Sequence, residues 1–224
     1  AHEIGFDTLF MYVWRDREAV LDIFEMISGN RIHYAMNTIG GVRRDIPTAM
    51  APKIKKGLDF LEKRLKYYLD VVQTEQTILK RTASVGVLKP KDAVDLCAVG
   101  PTLRASNVKN DVRTDDPYAA YDEIPLNVIT HDGCDVLSRT LVRCEEMLES
   151  IKIIRYALDR MPEGIIRVRA PMKVPQGEVV SRVEAPRGEL IHYAKSNGTT
   201  KPERYKVRSP TLGNIPALCK MLLG

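Results

Sequence analysis

The residues best suited to chemistry lie near the end of the sequence, between positions 177 and 214. The run EAPRG occupies positions 184–188. Pro186 fixes its own φ and Gly188 can take conformations closed to other residues, so Arg187 is carried on a backbone whose shape is partly fixed. A guanidinium held in this way is a rigid, permanently charged fork that can be aimed at a bound group. The alternative is a surface turn with a solvated arginine.

Further charges follow on the β-rich segments that flank this run. The charged or titratable residues of the region are Arg182, Glu184, Arg187, Glu189, His192, Arg204, Lys206 and Arg208. Alternation along short strands would turn some of these side chains inward. An inward charge must be paired or must serve a cofactor, so the pattern indicates an arginine-rich site.

A second candidate is the segment from Arg31 to Arg44, which contains His33 and the pair Gly40-Gly41 followed by Val42. Adjacent glycines let the backbone approach another group closely, and here they follow a titratable histidine. The alternative is a loop between two helices with solvated arginines. Nothing in the residues alone decides between these interpretations.

Two other charged patterns are interpreted as structural. The run GPTLRAS at positions 100–106 is typical of a loop whose arginine caps backbone carbonyls. The charged stripe of the third long helix is typical of the solvated side of a helix. That stripe consists of Arg139, Arg143, Glu145, Glu146 and Arg155.

The elements that must position these residues are long helices followed by short strands. Apolar spacing predicts helices over 3–28, 50–80 and about 134–160, with a final short helix at 213–223. Alternation predicts strands over 165–168, 178–184, 189–195 and 204–208, and a strand-like piece starts the run VGVLKPKDA. The fold class is therefore mainly α, a long-helix bundle with a small antiparallel β element near the C-terminal side. We expect residues 1–162 to form the bundle, with an irregular segment at 81–132, and 163–224 to add a small β-rich segment and terminal helix, all packed as one domain.

Composition excludes several classes of protein. The net charge of +5 is spread over 34 basic and 29 acidic residues, which argues against a nucleic-acid binder. The four cysteines form no CxxC pair and the four histidines have no metal spacing, so no metal site is predicted in this chain. There is no P-loop, GxGxxG or Ser-His-Asp order, and no apolar run long enough to span a bilayer. The chain opens without Met, and we interpret it as a central-to-C-terminal fragment.

The order of segments resembles the large subunit of membrane-bound, energy-converting nickel–iron hydrogenases and the homologous 49 kDa, or D, subunit of complex I. The resemblance covers nearly the whole chain. Its clearest parts are RDREAVLDIFEMISGNRIHYAMNTIGGVRRDIP, LVRCEEMLESIKIIRYAL and, above all, GEVVSRVEAPRGELIHYAKSNGTTKPERYKVRSPTLGNIPAL. The sequence SNGTTKPERYKVRSPTL resembles the hydrogenase branch more than the complex I branch.

This resemblance implies a function and roles for particular residues. Pro186 and Arg187 would be the catalytic residues, lining the open face of the reaction site. There the fixed cation would stabilise developing negative charge. The loop of Gly40, Gly41 and Val42, with His33 before it, would face the same cleft, and His192 would orient the site from behind.

The main hypothesis is therefore that this chain is part of a hydrogenase large subunit. Such an enzyme is an oxidoreductase that interconverts H2 with protons and electrons. We expect this chain alone to be inactive. In the intact subunit, two flanking CxxC pairs would hold a nickel–iron centre. The alternatives are a complex I-type NADH-quinone oxidoreductase subunit contributing to the quinone site, and a cofactor-less scaffold homologue. The resemblance places the family's acidic proton-relay residue and quinone-contacting His and Tyr before this segment. Each hypothesis implies an iron–sulfur small subunit and membrane subunits as partners, and a position on the inner, cytoplasmic face of the membrane without a span of its own.

Overall fold

The computed structural model describes residues 2–171 and 173–223 and divides the chain into two compact units. Unit 1 comprises Ala1–Tyr68 and Ile154–Pro171, and unit 2 comprises Leu69–Ile153 and Met172–Gly224. These bounds differ from the predicted division after position 162. The packing of all segments as one domain stays a prediction.

Long helices and an antiparallel sheet near the C-terminal side are present as predicted, which confirms the mainly-α class in part. The helices are α1 (Asp7–Ser28), α2 (Ala51–Thr74), α3 (Gln76–Thr82), α4 (Pro90–Asp95), α5 (Pro101–Arg104), α6 (Val112–Asp115), α7 (Val136–Asp159), α8 (Pro210–Gly213) and α9 (Ile215–Met221). The strands are β1 (Asn37–Thr38), β2 (Gly41–Val42), β3 (Gly177–Ala185), β4 (Gly188–Ser196) and β5 (Pro202–Arg208).

In unit 1, a buried carboxylate ties α1 to α2. Asp16 is 4% exposed. It accepts hydrogen bonds from Arg15 Nε at 2.8 Å, from Arg64 Nε and from the Tyr68 hydroxyl. Burial alone would raise the pKa of Asp16, but these donors outweigh it and hold the pKa below its ordinary value. The ionised carboxylate therefore fixes how the two helices face each other within the unit.

The predicted helix over 50–80 is in fact two helices. Glu75 leaves the helical conformation with ψ 115°, and its side chain accepts a hydrogen bond from the backbone N–H of Thr77 as the N-cap of α3. The apolar stripe continues across the break, since Val72 and Ile78 are both buried. The break was therefore not visible as a change in hydrophobic spacing.

Unit 2 has its core around the segment that the sequence predicts to be irregular. Its buried cluster consists of Leu88, Ala93, Ala98, Leu103 and Ala217. The strand expected at the start of VGVLKPKDA does not form. Instead, the N–H of Leu88 donates to the Cys134 carbonyl at 2.8 Å, and the N–H of Val136 donates to the Val85 carbonyl at 3.1 Å. Two separate backbone hydrogen bonds to the residues at the start of α7 therefore take the place of a β-ladder in this segment.

The sheet of unit 2 is antiparallel in the order β3-β4-β5. It confirms the predicted strands at 178–184, 189–195 and 204–208. The strand predicted at 165–168 is wrong, because the structure has only an isolated bridge between Gly41 and Arg167 there. Residues paired across the sheet share a face. One face carries Val179, Ala194, Tyr205, Ser181, His192 and Val207, and most of the charged residues lie on the other.

Candidate functional site

The EAPRG run forms the turn between β3 and β4, as predicted. Ala185 pairs with Gly188 across the ladder, so Pro186 and Arg187 are the two-residue connection of a hairpin. Both of these residues are exposed, whereas Gly188 is buried. The guanidinium of Arg187 is thus carried at the tip of a hairpin with two nine-residue strands.

A glycine-to-glycine contact seats this tip on the loop before α5. A Cβ on Gly100 would lie 2.3 Å from Gly188 Cα, and a Cβ on Gly188 would lie 2.7 Å from Gly100 N. Both residues have positive φ, +66° and +124°, so neither the space nor the backbone admits a side chain. Asn214 fastens the contact by accepting from the Val99 N–H at 2.9 Å and donating to the Arg187 carbonyl at 3.5 Å.

Behind the tip, Arg104 is the centre of a buried ion-pair network. Its side chain is 2% exposed. Nε donates to Glu146 at 2.6 Å, and Nη1 donates to Glu184 at 2.9 Å and to the Asn110 carbonyl at 3.0 Å. A carboxylate oxygen of Asp111 lies 3.3 Å from the same Nη1. Because Glu184 is the first residue of EAPRG, this network holds the base of the turn.

The carboxylates of the network differ in their protonation equilibria. Burial raises the pKa of Glu184, and the charge of Arg104, shared with other carboxylates, offsets this only in part. Asp111 is also desolvated, but Arg113 and Arg104 outweigh this and hold its pKa below the ordinary value. Arg104 itself has a raised pKa, since its carboxylate partners outweigh its burial. Glu184 is therefore more easily protonated than Asp111.

A cavity of about 450 Å³ opens beside the hairpin tip within unit 2. Its walls come from α5, α6, α7 and the end of β3. The lining residues are Arg104, Arg113, Arg143, Glu146, Met147, Ser150, Glu184, Ala185 and Pro186. Three arginines and two glutamates thus share the pocket with a larger apolar surface, and its volume is of the size that ligand pockets usually have.

His192 lies in the middle of β4, where it pairs with Ser181 on one side and Val207 on the other. Its Nδ1 contacts the hydroxyl of Tyr205. This contact fixes the imidazole on the apolar face of the sheet. The predicted role of His192 in orienting the Arg187 site is not tested by this geometry and stays a prediction.

The second group of predicted residues belongs to unit 1. A Cβ on Gly41 would lie 2.2 Å from the Ile166 carbonyl oxygen, and one on Gly40 would lie 2.3 Å from that of Val168. The Val42 N–H donates to the Ile166 carbonyl at 3.0 Å. The close approach that the glycine pair permits is therefore to the chain's own backbone. His33 is exposed. A shared cleft with Arg187 stays a prediction.

The sequence patterns did not indicate the central position of Arg104. They also predicted solvated side chains for Arg139 and Arg155 on the charged stripe of α7. Arg104 caps a carbonyl as expected, but it mainly binds carboxylates. Arg139 is 8% exposed and donates to the carbonyls of Cys134 and Gly86, so it is not solvated. Arg155 instead pairs with Asp59 and Glu62 in unit 1. The small residues Ala105 and Ser106 directly after Arg104 are the pattern that could have indicated that this arginine is buried.

Two features are missing from the described part of the chain. Among residues 2–171 and 173–223, no group of three His, Cys, Asp or Glu side chains is placed to hold a metal ion. Over the same residues, no helix is both long and apolar enough to cross a membrane. That this chain holds no metal nevertheless stays a prediction.

Comparison with known proteins identifies the class. The family model for the "respiratory-chain NADH dehydrogenase, 49 Kd subunit" matches residues 3–172 and 167–224. This is a class of subunits of respiratory oxidoreductases, and the chain belongs to that family.

Particular relatives narrow the comparison. The chain is 40% identical to the NADH-quinone oxidoreductase D 2 subunit of Rhizobium etli, over 96% of this chain and 60% of the relative. It is 42% identical to the corresponding D subunit of Dehalococcoides mccartyi, over 97% of this chain and 60% of the relative. A solved chain of the membrane-bound sulfane sulfur reductase, an archaeal respiratory membrane complex, superposes with a TM-score of 0.88 at 31% identity, covering 100% of this chain and 66% of that one. The chain spans about 60% of the length of these curated relatives.

Proposed function

We propose that this chain is the part of a complex I-type quinone oxidoreductase subunit that presents Arg187 to the quinone site. The observation that carries the proposal is the 40–42% identity to NADH-quinone oxidoreductase D subunits over nearly the whole chain. The comparisons support this alternative better than the hydrogenase hypothesis, for which they offer no specific support.

The geometry of the hairpin suits such a role. A bound quinone would accept electrons and protons and develop negative charge on its oxygens. Gly100 and Asn214 hold the backbone of the turn that carries Arg187, so in this proposal its permanent charge starts from a fixed position and stabilises a developing oxyanion. Pro186 stiffens the turn and lines the adjoining cavity. In this proposal, His192 supports the site from β4.

The proposal includes partners. As the relatives are named as subunits and the solved relative comes from a membrane complex, we propose that this chain packs against an iron–sulfur subunit and reaches the membrane through membrane subunits. The chain would then lie on the inner side of the membrane and supply no cofactor of its own. The quinone and any iron–sulfur cluster would belong to the intact complex.

The test is substitution of Arg187 in the intact complex from its native source. Arg187→Gln should lower NADH-dependent reduction of a short-chain quinone by about 100-fold or more, the scale of losing one preorganised charge. Arg187→Lys should recover part of that rate. Reduction of an artificial acceptor that bypasses the quinone, and the subunit content, should not change. Arg204→Gln, an exposed arginine on β5, is the control. Unchanged quinone reduction in Arg187→Gln would refute the role.

The hydrogenase hypothesis and the scaffold alternative have their own measurement. Peptide mapping of the native polypeptide would show what flanks this region. CxxC pairs on both sides, with H2-dependent dye reduction, would favour the hydrogenase. Flanks without such pairs and a complex without quinone reductase activity would favour the scaffold.

A further inference from the structure

The turn that carries Arg187 is held at both of its ends. At the end toward β4, Gly188 packs so closely on Gly100 that neither residue has room for a Cβ. At the end toward β3, the backbone N–H of Glu184 donates a hydrogen bond of 3.2 Å to the hydroxyl of Tyr118. This tyrosine therefore contacts the backbone three residues before Arg187.

The hydroxyl of Tyr118 takes a position that no strand fills. The sheet has the order β3-β4-β5, so β3 is an edge strand. Glu184 pairs with Glu189 of β4 immediately before the turn, and its N–H points away from β4 toward Tyr118. Outward backbone groups of an edge strand have no partner within their sheet. Tyr118 thus supplies the acceptor that a neighbouring strand would otherwise supply at the base of the hairpin.

Two neighbouring contacts hold the segment of Tyr118 against the same strand. The N–H of Val112, at the start of α6, donates to the Glu184 carboxylate at 3.4 Å. Arg182 of β3 donates to the Asp116 carboxylate at 3.2 Å from Nε and 2.8 Å from Nη2. The phenol is therefore placed by contacts on either side of its own hydrogen bond, and its position relative to β3 is well defined.

A movement at this hydrogen bond would be passed on to Arg187. Only two residues, Ala185 and Pro186, separate the bond from Arg187. Proline fixes its own φ, and a two-residue hairpin connection has few other torsions that could absorb a displacement. Because Gly188 is already packed on a backbone at the other end, the turn cannot follow as a whole.

We infer that Tyr118 is a positioning residue for Arg187. Its hydroxyl fixes the backbone at the base of the hairpin and thereby fixes where the guanidinium is presented. The expected effect on catalysis rests on the proposed function, whereas the placement of the turn is measured without any quinone. Tyr118 acts through the backbone of Glu184, so we assign it no contact with a substrate.

Hydrogen exchange of the isotope-labelled chain, followed by NMR, tests this hydrogen bond directly. Tyr118→Phe removes only the hydroxyl. The amide of Glu184 should then exchange roughly tenfold faster, and the backbone signals of Arg187 should shift. The amide of Val142, a buried residue of α7, should exchange as in the wild type, which shows that unit 2 remains folded.

Tyr121→Phe is the matched control. The ring of Tyr121 lies edge-on to that of Tyr118 with the centroids 5.0 Å apart. This variant removes a hydroxyl from the same segment and leaves the bond between Tyr118 and Glu184 in place. It should change neither the exchange of the Glu184 amide nor the signals of Arg187.

The intact complex gives the second measurement. Tyr118→Phe should lower kcat for quinone reduction by roughly fivefold, the effect of about one neutral hydrogen bond. The KM for the quinone should stay nearly unchanged, because the charge of Arg187 is displaced and not removed. Tyr121→Phe should keep the wild-type kcat.

Two outcomes would overturn the inference. One is an unchanged exchange rate of the Glu184 amide in Tyr118→Phe. The other is full quinone reduction in Tyr118→Phe when Arg187→Gln has lost it. Wild-type quinone reduction in Arg187→Gln, together with faster exchange and shifted Arg187 signals in Tyr118→Phe, would refute only the proposed function.

Discussion

At the scale of residues, the exposed Arg187 depends on the buried Arg104. The guanidinium of Arg104 binds the carboxylates of Glu146 and Glu184 and the carbonyl of Asn110. A buried charge cluster of this kind costs desolvation, so its value lies in holding groups in place more than in net stability. The group it holds is the first residue of the EAPRG turn.

Removing the charge of Arg104 should therefore strongly destabilise unit 2. Arg104→Gln leaves Glu184 and Glu146 without their counter-charge, and we expect the free energy of unfolding of unit 2 to fall by about 3–5 kcal/mol. Urea denaturation followed by tyrosine fluorescence measures this. Arg204→Gln, an exposed site, should change the same quantity by no more than about 0.5 kcal/mol. A mild effect of Arg104→Gln would mean that the carboxylates become protonated at little cost.

The Asp16 ion pair predicts a dependence on pH. Its folded pKa lies below its ordinary value, so the ionised carboxylate stabilises the protein above the unfolded pKa of about 3.9. This contribution is lost as the pH falls through the lower, folded pKa. Asp16→Asn should lower the free energy of unfolding by about 3 kcal/mol at neutral pH. The difference from the wild type should shrink toward zero in strong acid.

Denaturation curves of both proteins at neutral and acidic pH give this comparison. Asp70→Asn is the control, because Asp70 is an exposed carboxylate on α2, the helix that supplies the Arg64 and Tyr68 partners of Asp16. It should show almost no difference at either pH. A difference for Asp16→Asn that stays constant down to strong acid would contradict the ion-pair explanation.

At the scale of elements, the decisive contact is that of the β3-β4 hairpin with the loop before α5. It depends on the absence of side chains at Gly100 and Gly188. Since the tip of the hairpin carries Arg187, any displacement at this contact moves the guanidinium as well. Stability and site geometry are thus coupled at this point.

Gly100→Ala should lower the stability of unit 2 and displace the hairpin tip that carries Arg187. Its φ of +66° is unfavourable for alanine, and the new Cβ would lie 2.3 Å from Gly188 Cα. We expect a loss of about 2 kcal/mol or more in the free energy of unfolding, measured by urea denaturation. Gly177→Ala is the control, because Gly177 begins β3 of the same hairpin and a Cβ there would meet nothing within 4 Å. Equal behaviour of the two variants would show that the contact is not needed.

The elements show which parts of the structure a sequence can predict. The periods of apolar residues correctly predicted α1, α7 and the strands of the C-terminal sheet, because those patterns depend on neighbours in the chain. The hairpin at Pro186-Arg187 was predicted for the same reason. The break at Glu75, the burial of Arg104 and the contact of Gly100 with Gly188 depend on residues far apart in sequence, so local patterns did not show them.

At the scale of the whole molecule, each unit presents apolar side chains to solvent. In unit 1, α1 exposes Phe10, Met11, Tyr12, Val13 and Trp14. In unit 2, one face of the sheet exposes Val179, Tyr205 and Val207. Contiguous exposed apolar groups mark surfaces for protein partners. This fits a subunit of a larger assembly, as the proposed function requires.

The isolated chain should therefore self-associate. Light scattering should show a mass above 25.3 kDa that rises with concentration. The double variant Met11→Ser with Trp14→Ser should lower this mass toward the monomer, because it removes two exposed apolar side chains of α1. The control is Val94→Ser, at an exposed valine on the short helix α4, and it should leave the mass unchanged. A monomeric wild type at high concentration would contradict this expectation.

The fastening of the hairpin tip by Asn214 has a consequence for biosynthesis. Asn214 is 27 residues after Arg187 and 115 residues after Val99, and it contacts both. A ribosome that has just translated the EAPRG run has not yet supplied this clamp, so the nascent hairpin cannot be fixed in its final position. Arg187 reaches its place only after α8 has been translated. The turn that carries Arg187 therefore gains its final support only once Asn214 has been made.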